Sequence, residues 1–107
     1  MQMILTVQSL NKKRDRFRLG VSLSDSINIF KKRHVEVRIK LCDAIEEIIT
    51  TTCGFPLPKG SDLYCKELSA WIIRNEFHIY PRGKPTKLNF KYSNKNGTHK
   101  LIFINRI

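Results

Sequence analysis

Apolar and polar residues alternate in two segments near the N-terminus, which is the pattern of β-strands that bury one face. The apolar rows are Met3, Leu5 and Val7 in the first segment and Phe17, Leu19, Val21 and Leu23 in the second. Between them, residues 11–15 read Asn-Lys-Lys-Arg-Asp and are polar throughout. The pattern predicts a β-hairpin with residues 11–15 at its tip and with Arg16 and Arg18 on its open face.

The centre of the chain predicts a helix from about Glu36 to Thr51. Its apolar residues recur at helical spacing, and they are Val37, Leu41, Ile45, Ile48 and Ile49. Before it, residues 24–26 predict a turn or N-cap and residues 27–32 a short helical turn. The glycine- and proline-rich residues 54–60 follow as a stop signal and an irregular connector. Residues 34–41 also alternate, so a strand followed by a helix is the alternative interpretation.

A second helix is predicted from Ser61 to about Phe77, because Ser61 and Asp62 are suitable N-cap residues. The apolar residues on its common face are Tyr64, Leu68, Trp71 and Ile72. We expect this face to lie in the core. Residues 80–85 contain two prolines and a glycine, which end the helix.

The last segment predicts a second hairpin. Its first strand has apolar Leu88, Phe90 and Tyr92 alternating with Lys87, Asn89 and Lys91. Residues 93–97 form the predicted turn, since Asn96-Gly97 is a strong hairpin signal. The return strand over residues 98–105 contains the apolar run 101–104, so we expect it to be covered on both faces and to lie inside a sheet.

Together these elements predict one α+β domain over residues 1–107, with an N-terminal β-hairpin, two central helices and a C-terminal β-hairpin. A chain of 107 residues is large enough for one core and too small for two. The second helix followed by a basic hairpin has the element order of the recognition helix and wing of winged-helix domains. A winged-helix-like arrangement is therefore one form that this order allows.

Positive charge is concentrated at the two ends of the chain, within a formal net charge of +11. Residues 1–33 carry eight basic and two acidic side chains, residues 34–76 five and seven, and residues 77–107 seven and none. Two basic segments around a nearly neutral centre favour a polyanion as the partner, because clustered cations release counterions from a phosphate chain. The sequence thus predicts a nucleic-acid-binding domain.

Phosphate contacts from the two hairpins are the predicted mode of binding. The predicted nucleic-acid-binding residues are Lys12, Lys13, Arg14, Arg16, Arg18, Arg82, Lys84, Lys87, Lys91 and Lys95. If the hairpins lie side by side, these residues form one continuous basic surface. Most aromatic rings are expected in the core, and Tyr80 is the one ring expected to be exposed for base stacking. Duplex DNA is therefore favoured over single strands and RNA.

The sequence is also compatible with two other functions. The chain could be an inhibitor or adaptor that binds an acidic protein surface, with an apolar patch at Phe55, Leu57, Phe77 and Tyr80. It could also be a small metal-independent endoribonuclease of toxin type. The residues for that chemistry are His34, His78 and His99, with Arg82, Lys84 and Lys100 as phosphate holders and Tyr80 as a donor. We favour a protein that is not an enzyme.

Composition adds expectations about cofactors, location and assembly. Cys42, Cys53 and Cys65 are odd in number and form no Cys-x-x-Cys pair, so we expect no metal and no cofactor. A zinc ion held by Cys42 or Cys65 with a distant His is the alternative. No signal peptide or membrane span is recognisable, so a cytoplasmic protein without a membrane partner is expected. A homodimer through the second helix is a further candidate. Abundant Lys, Asn and Ile suggest an AT-rich coding sequence of phage or plasmid type.

Overall fold

Seven strands close into a β-barrel in the computed structural model, which describes residues 1–30, 35–41, 47–53 and 62–107. The strands are β1 (Gln2–Ser9), β2 (Phe17–Gly20), β3 (Glu36–Lys40), β4 (Ile48–Cys53), β5 (Asp62–Leu63), β6 (Lys87–Lys95) and β7 (Thr98–Arg106). Their order around the barrel is β1-β2-β5-β4-β3-β7-β6, and β6 pairs with β1 to close the ring. The described helical segments are α1 (Leu23–Asp25), which continues as a π-helical turn over Ser26–Phe30, and α2 (Lys66–Arg74).

Both predicted hairpins are present. Strand β1 pairs with β2, and β6 pairs with β7, in each case antiparallel. The second hairpin turns at Asn96 and Gly97, whose φ angles of 53° and 83° are both positive. A two-residue hairpin turn of this kind requires two residues that tolerate the left-handed region, which explains the Asn-Gly pair. The turn is therefore tighter than the predicted 93–97.

The predicted α+β fold with two central helices, and with it the winged-helix-like order, is wrong. The region predicted as the first helix contains β3 and β4, which pair antiparallel with Val37 opposite Thr50. Val37 and Ile39 both face the barrel interior, so the alternation of residues 34–41 was the correct signal. The β-branched run in β4 also favours a strand over a helix. Residues 42–46 and the predicted connector 54–60 lie outside the described residues.

The second predicted helix is shorter than expected. Asp62 and Leu63 form β5, which bridges β2 and β4 and completes the ring on that side. Helix α2 begins after Cys65, so Tyr64 precedes it. The predicted face of the helix is buried through Leu68, Trp71 and Ile72. Asp62 lies in this short strand and does not cap a helix, because pairing with β5 satisfies the backbone hydrogen-bonding groups of β2.

Two helical segments close the ends of the barrel. At one end α2 buries Trp71, whose ring lies 5.2 Å from that of Phe77 and 5.0 Å from that of Phe103. The Ser69 Oγ accepts a hydrogen bond from the backbone N–H of Phe17 at 3.0 Å, which ties α2 to β2. At the other end Phe30 packs edge-on against His99 at 5.4 Å.

The structure corrects the predictions for the segment after β2 and for the burial of β7. Leu23 lies in α1 and is exposed rather than continuing β2, and Ser22 caps α1 in place of residues 24–26. The return strand β7 lies inside the sheet between β6 and β3 as predicted. Its run 101–104 is covered on one face only, since Leu101 is buried and Ile104 is exposed. None of the helices in the described residues has the length and apolar character needed to cross a membrane.

Trp71→Ala should lower the free energy of unfolding by about 3–5 kcal/mol, because it removes the largest fully buried side chain and leaves a cavity among aromatic rings. Urea denaturation measures this change. Ile73→Ala is the control on the same helix, since Ile73 is 37% exposed and its truncation should cost about 1 kcal/mol or less. Equal losses in the two variants would contradict the position of Trp71 in the core.

Candidate nucleic-acid interface

The tip of the first hairpin has an ordered backbone. The Asn11 carbonyl accepts a hydrogen bond from the Arg14 N–H at 3.2 Å, and the Asn11 side-chain oxygen accepts one from the Asp15 N–H at 3.3 Å. Arg14 has a φ of 55°, which reverses the chain at this point. Lys12 and Lys13 are the two central residues of this turn and are exposed.

Arg14 fastens this tip to the segment that follows α2. Its guanidinium donates a hydrogen bond to the His78 carbonyl at 3.0 Å and lies 5.0 Å from the centre of the Tyr80 ring. The Phe17 ring lies 6.0 Å from the same guanidinium. A carbonyl acceptor and an aromatic face are both favourable partners for a guanidinium. Arg14 therefore holds the two segments together.

A tight turn follows at once along the chain. The Lys84 N–H donates to the Pro81 carbonyl at 3.0 Å, and Gly83 has a φ of 78°, as the third residue of a type II turn requires. Two residues later, the Val7 N–H donates to the Thr86 carbonyl at 2.9 Å and anchors the segment to β1. Because both ends of the turn are attached to the first hairpin, residues 82–84 lie beside the hairpin tip.

These contacts bring six basic residues to one end of the barrel. We call them the tip cluster, which consists of Lys12, Lys13, Arg14, Arg16, Arg82 and Lys84. All six are exposed, and within the described residues none forms an ion pair with a carboxylate. Asp15, the acidic residue of the hairpin tip, is hydrogen-bonded to Asn11. The structure therefore places Arg82 and Lys84 with the first hairpin rather than with the second.

The predicted lysines of the second hairpin lie along the outside of β6. Lys87 is opposite Thr6 and Lys91 is opposite Gln2 of β1, so the two hairpins lie side by side as a continuous surface requires. Lys87, Lys91 and Lys95 are all exposed. Lys87 is at the start of β6 near the tip cluster, and Lys95 is at the opposite end of this strand next to the turn.

Arg18 differs from the other predicted residues because it is held by protein groups. Its Nη1 lies 3.0 Å from an oxygen of Asp62, and its Nε donates to the Gln8 side-chain oxygen at 3.0 Å. Gln8 can lie there because Gly20 has no side chain: a Cβ on Gly20 would be 2.6 Å from the Gln8 amide nitrogen. Burial raises the pKa of Asp62, and the nearby Arg18 opposes this shift.

Three basic residues lie on the far wall of the barrel. Arg38 and Lys40 were not predicted as surface neighbours because residues 36–51 were expected to form a helix, and Lys100 was named only for the ribonuclease alternative. Arg38 of β3 is opposite Lys100 of β7, and Lys40 follows on the same outer face. Glu36 lies 3.9 Å from Arg38, and Glu47 lies 2.5 Å from Lys100. Two of the three cations are thus paired with carboxylates. Strand β3 is also three strands away from the first hairpin in either direction.

Aromatic side chains do not form a stacking surface in the part of the chain that the structure describes. None of their rings is among the exposed hydrophobic side chains. Tyr80, which was expected to be exposed, is half-buried beneath Arg14. The prediction of an exposed Tyr80 is therefore wrong, because the hairpin tip covers it.

The histidines proposed for ribonuclease chemistry are not brought together. His78 lies near the tip cluster with its ring 5.3 Å from Phe17, and its Nδ1 is buried without a hydrogen-bond partner among the described residues. His99 lies at the opposite end of the barrel beside Phe30, with its Nδ1 2.5 Å from the Tyr92 hydroxyl. Burial raises the pKa of Tyr92. His34 lies outside the described residues.

Other kinds of site find little support in the described residues. No three His, Cys, Asp or Glu side chains there are grouped so that they could hold a metal ion. Cys65 is a free, half-buried thiol whose pKa is raised by burial, which disfavours the reactive thiolate.

Comparison with protein-family models, curated proteins and solved structures gives no significant match. The tip cluster and the surface next to it are therefore the candidate site.

Arg14→Ala should release the hairpin tip from Tyr80 without unfolding the barrel, because the contacts of Arg14 are with these two surface segments. Hydrogen exchange should become faster at the backbone amides of residues 12–16 and 78–84 and stay unchanged in β3 and β7. Arg16→Ala is the control, since Arg16 makes no comparable contact within the described residues. Unchanged protection of both segments in Arg14→Ala would contradict this role.

Asp62→Asn should change the pH dependence of stability. Because the pKa of Asp62 is raised above its usual value of 3.8, the folded protein binds this proton more tightly than the unfolded chain does. The contribution of Asp62 to stability therefore increases as the pH falls towards this value. Relative to Asp62→Asn, the wild type should gain stability between pH 7 and about pH 4 in urea denaturation.

Glu47→Gln is the control of opposite sign. The hydrogen bond from Lys100 lowers the pKa of Glu47 below its usual value of 4.5, so Glu47 stabilises the fold above this pH. That contribution disappears as the pH falls through the lowered pKa. The difference between wild type and Glu47→Gln should therefore shrink on acidification. The same sign of pH dependence in both variants would contradict these assignments.

Proposed function

We propose that this protein binds nucleic acid, and duplex DNA in preference to RNA or single strands, through phosphate contacts from the tip cluster and the adjoining lysines of β6. The observation that carries the proposal is the contact of Arg14 with Tyr80 and the His78 carbonyl. It unites two basic segments that are far apart in the sequence. Because these cations have no carboxylate partner among the described residues, their charge is available to an external anion.

The energetics of such a surface come mainly from counterion release. The exposed cations suited to phosphate are Lys12, Lys13, Arg16, Arg82, Lys84, Lys87 and Lys91. If five to seven of them each neutralise a phosphate, the logarithm of the binding constant should fall against the logarithm of salt concentration with a slope of about −4.5 to −6. Arg14 is not counted among the phosphate contacts, because its guanidinium is engaged with the His78 carbonyl and the Tyr80 ring and positions the cluster.

The preference for a duplex rests on the shortage of exposed rings. Proteins that bind single strands generally stack bases on aromatic side chains, and each stacked base contributes substantially to affinity. In the described residues the rings are buried or half-buried. Phosphate contacts along a rigid double helix need no such rings. A cytoplasmic location, where nucleic acid is accessible to the protein, is part of the same proposal.

An acidic protein surface is the alternative partner, favoured by one observation. Ile79 is 59% exposed and lies directly before Tyr80, beside the tip cluster. An exposed apolar side chain among cations suits a protein interface, in which an apolar contact is surrounded by charged pairs. Of the apolar patch expected from the sequence, Phe77 and Tyr80 are half-buried, and Phe55 and Leu57 lie outside the described residues.

The double variant Lys12→Gln/Lys84→Gln should weaken binding to duplex DNA and make the salt slope less negative by about 2, because two phosphate contacts are lost. Fluorescence anisotropy with a labelled duplex at several salt concentrations measures both quantities. The triple variant Lys87→Gln/Lys91→Gln/Lys95→Gln tests the second hairpin in the same way.

The matched control is Arg38→Gln/Lys40→Gln, which removes the same charge from the opposite wall of the barrel. It should leave the salt slope nearly unchanged. Equal effects of the two double variants would mean that net charge alone determines binding. An absence of binding to any nucleic acid at low salt would overturn the proposal and favour the acidic protein partner.

A further inference from the structure

A polar network occupies the outer wall of the barrel next to the tip cluster. It consists of Gln8 on β1, Arg18 on β2 and Asp62 on β5, linked by the two 3.0 Å contacts of Arg18. The side chains of Arg18 and Asp62 are 32% and 24% exposed, so both are accessible while their positions are restricted. The lysines of the tip cluster have no comparable restraint within the described residues.

Phosphate binding is a poor explanation for this network. The Asp62 carboxylate already occupies one side of the Arg18 guanidinium, and it would repel a phosphate brought to the same place. A guanidinium has five N–H groups, of which Gln8 and Asp62 use two. The remaining N–H groups are held in a defined direction. A guanidinium fixed in this way can donate two hydrogen bonds to a planar acceptor pair that approaches from that direction.

The three groups of the network lie close together on the wall. Adjacent strands are about 4.8 Å apart, so outward side chains of β1, β2 and β5 lie within about 10 Å, a span over which they can contact neighbouring base edges exposed in a major groove roughly 12 Å wide. Gly20 lies at the centre of the row formed with Thr6 and Asp62. Because Gly20 has no side chain, the Gln8 amide lies over it, and this fixes the place of Gln8 on the wall. Lys87 is next to Thr6 in the same row and borders the wall.

We propose that the Gln8–Arg18–Asp62 network reads base edges in the major groove, so that binding to duplex DNA is sequence-specific. Arg18 faces a guanine and donates to its O6 and N7 atoms, which is the commonest specific contact of an arginine. Gln8 and Asp62 orient the guanidinium and offer an amide and a carboxylate to neighbouring adenine and cytosine amino groups. The inference rests on the proposed function, since the tip cluster supplies the phosphate contacts that place the wall over the groove.

The test begins with selection of duplexes from a random library by the wild-type protein, followed by sequencing. We expect a short motif that contains a fixed G·C pair. Arg18→Lys keeps the charge but removes the planar pair of donors, so it should reduce discrimination at this base pair by about tenfold or more. Its affinity for random-sequence duplex and its salt slope should remain those of the wild type.

Two further variants make the result specific to the network. Gln8→Ala leaves Arg18 without one of its supports, so it should also reduce discrimination without changing the salt slope. Lys12→Gln/Lys84→Gln should do the opposite: weaker binding to all sequences, a less negative slope and the same selected motif. Thermal unfolding of each variant establishes that it is folded before binding is measured.

The outcomes distinguish base reading by the network from phosphate binding by the tip cluster. Duplex binding with no selected motif, or a motif that Arg18→Lys retains unchanged, would overturn base reading while leaving phosphate binding intact. An absence of duplex binding in the wild type would overturn both. A motif that is lost in Arg18→Lys and Gln8→Ala but retained in the lysine variant supports the network as the specificity-determining part of the surface.

Discussion

Closure of the sheet between β1 and β6 is the constraint on which the arrangement of this protein depends. An open seven-stranded sheet would leave two edges with unpaired backbone groups, and pairing β1 with β6 satisfies both. The pairing also sets Met3 opposite Phe90 and Thr6 opposite Lys87. As a result, the basic N-terminal and C-terminal segments of the chain lie on neighbouring strands, although most of the sequence separates them.

The barrel determines where that charge can lie. Its interior accepts only one residue in two along each strand, and most of those positions are filled by apolar side chains such as Leu5, Leu19 and Phe90. The buried Thr50 and Thr52 of β4 have hydrogen-bonded hydroxyl groups. Basic residues therefore take the outer positions. Repulsion between closely spaced cations disfavours such a surface, and Arg14 offsets part of it through the Tyr80 ring and the His78 carbonyl. On the far wall, Glu36 and Glu47 reduce the repulsion by forming ion pairs with the basic side chains there.

Local sequence patterns predicted parts of this structure correctly, whereas pairings between distant segments were not predictable. The two hairpins were predictable because alternation and the Asn96-Gly97 turn are local. Strand β3 was predicted only as the alternative, from the alternation of residues 34–41. Its parallel pairing with β7, with Val37 opposite His99, was not predictable because no local pattern near residue 37 indicates that partner. The two-residue strand β5 is too short to show any periodicity. Arg82 and Lys84 were predicted as binding residues, but their position beside the first hairpin depends on the contacts of Arg14, which no local pattern indicates.

The basic surface contains two kinds of cation: the lysines of the tip cluster, whose side chains are free to move, and Arg18, whose guanidinium is held in place. A lysine on a flexible stem can follow a phosphate chain of any sequence, so it contributes affinity and little discrimination. Arg18 cannot move in this way while Gln8 and Asp62 hold it. Fixing a guanidinium beside a carboxylate weakens general attraction to anions, which would be a disadvantage if affinity alone were needed. For the DNA binding that we propose, a surface that places free cations around one restrained guanidinium is better suited to distinguishing between sequences than to binding all of them equally.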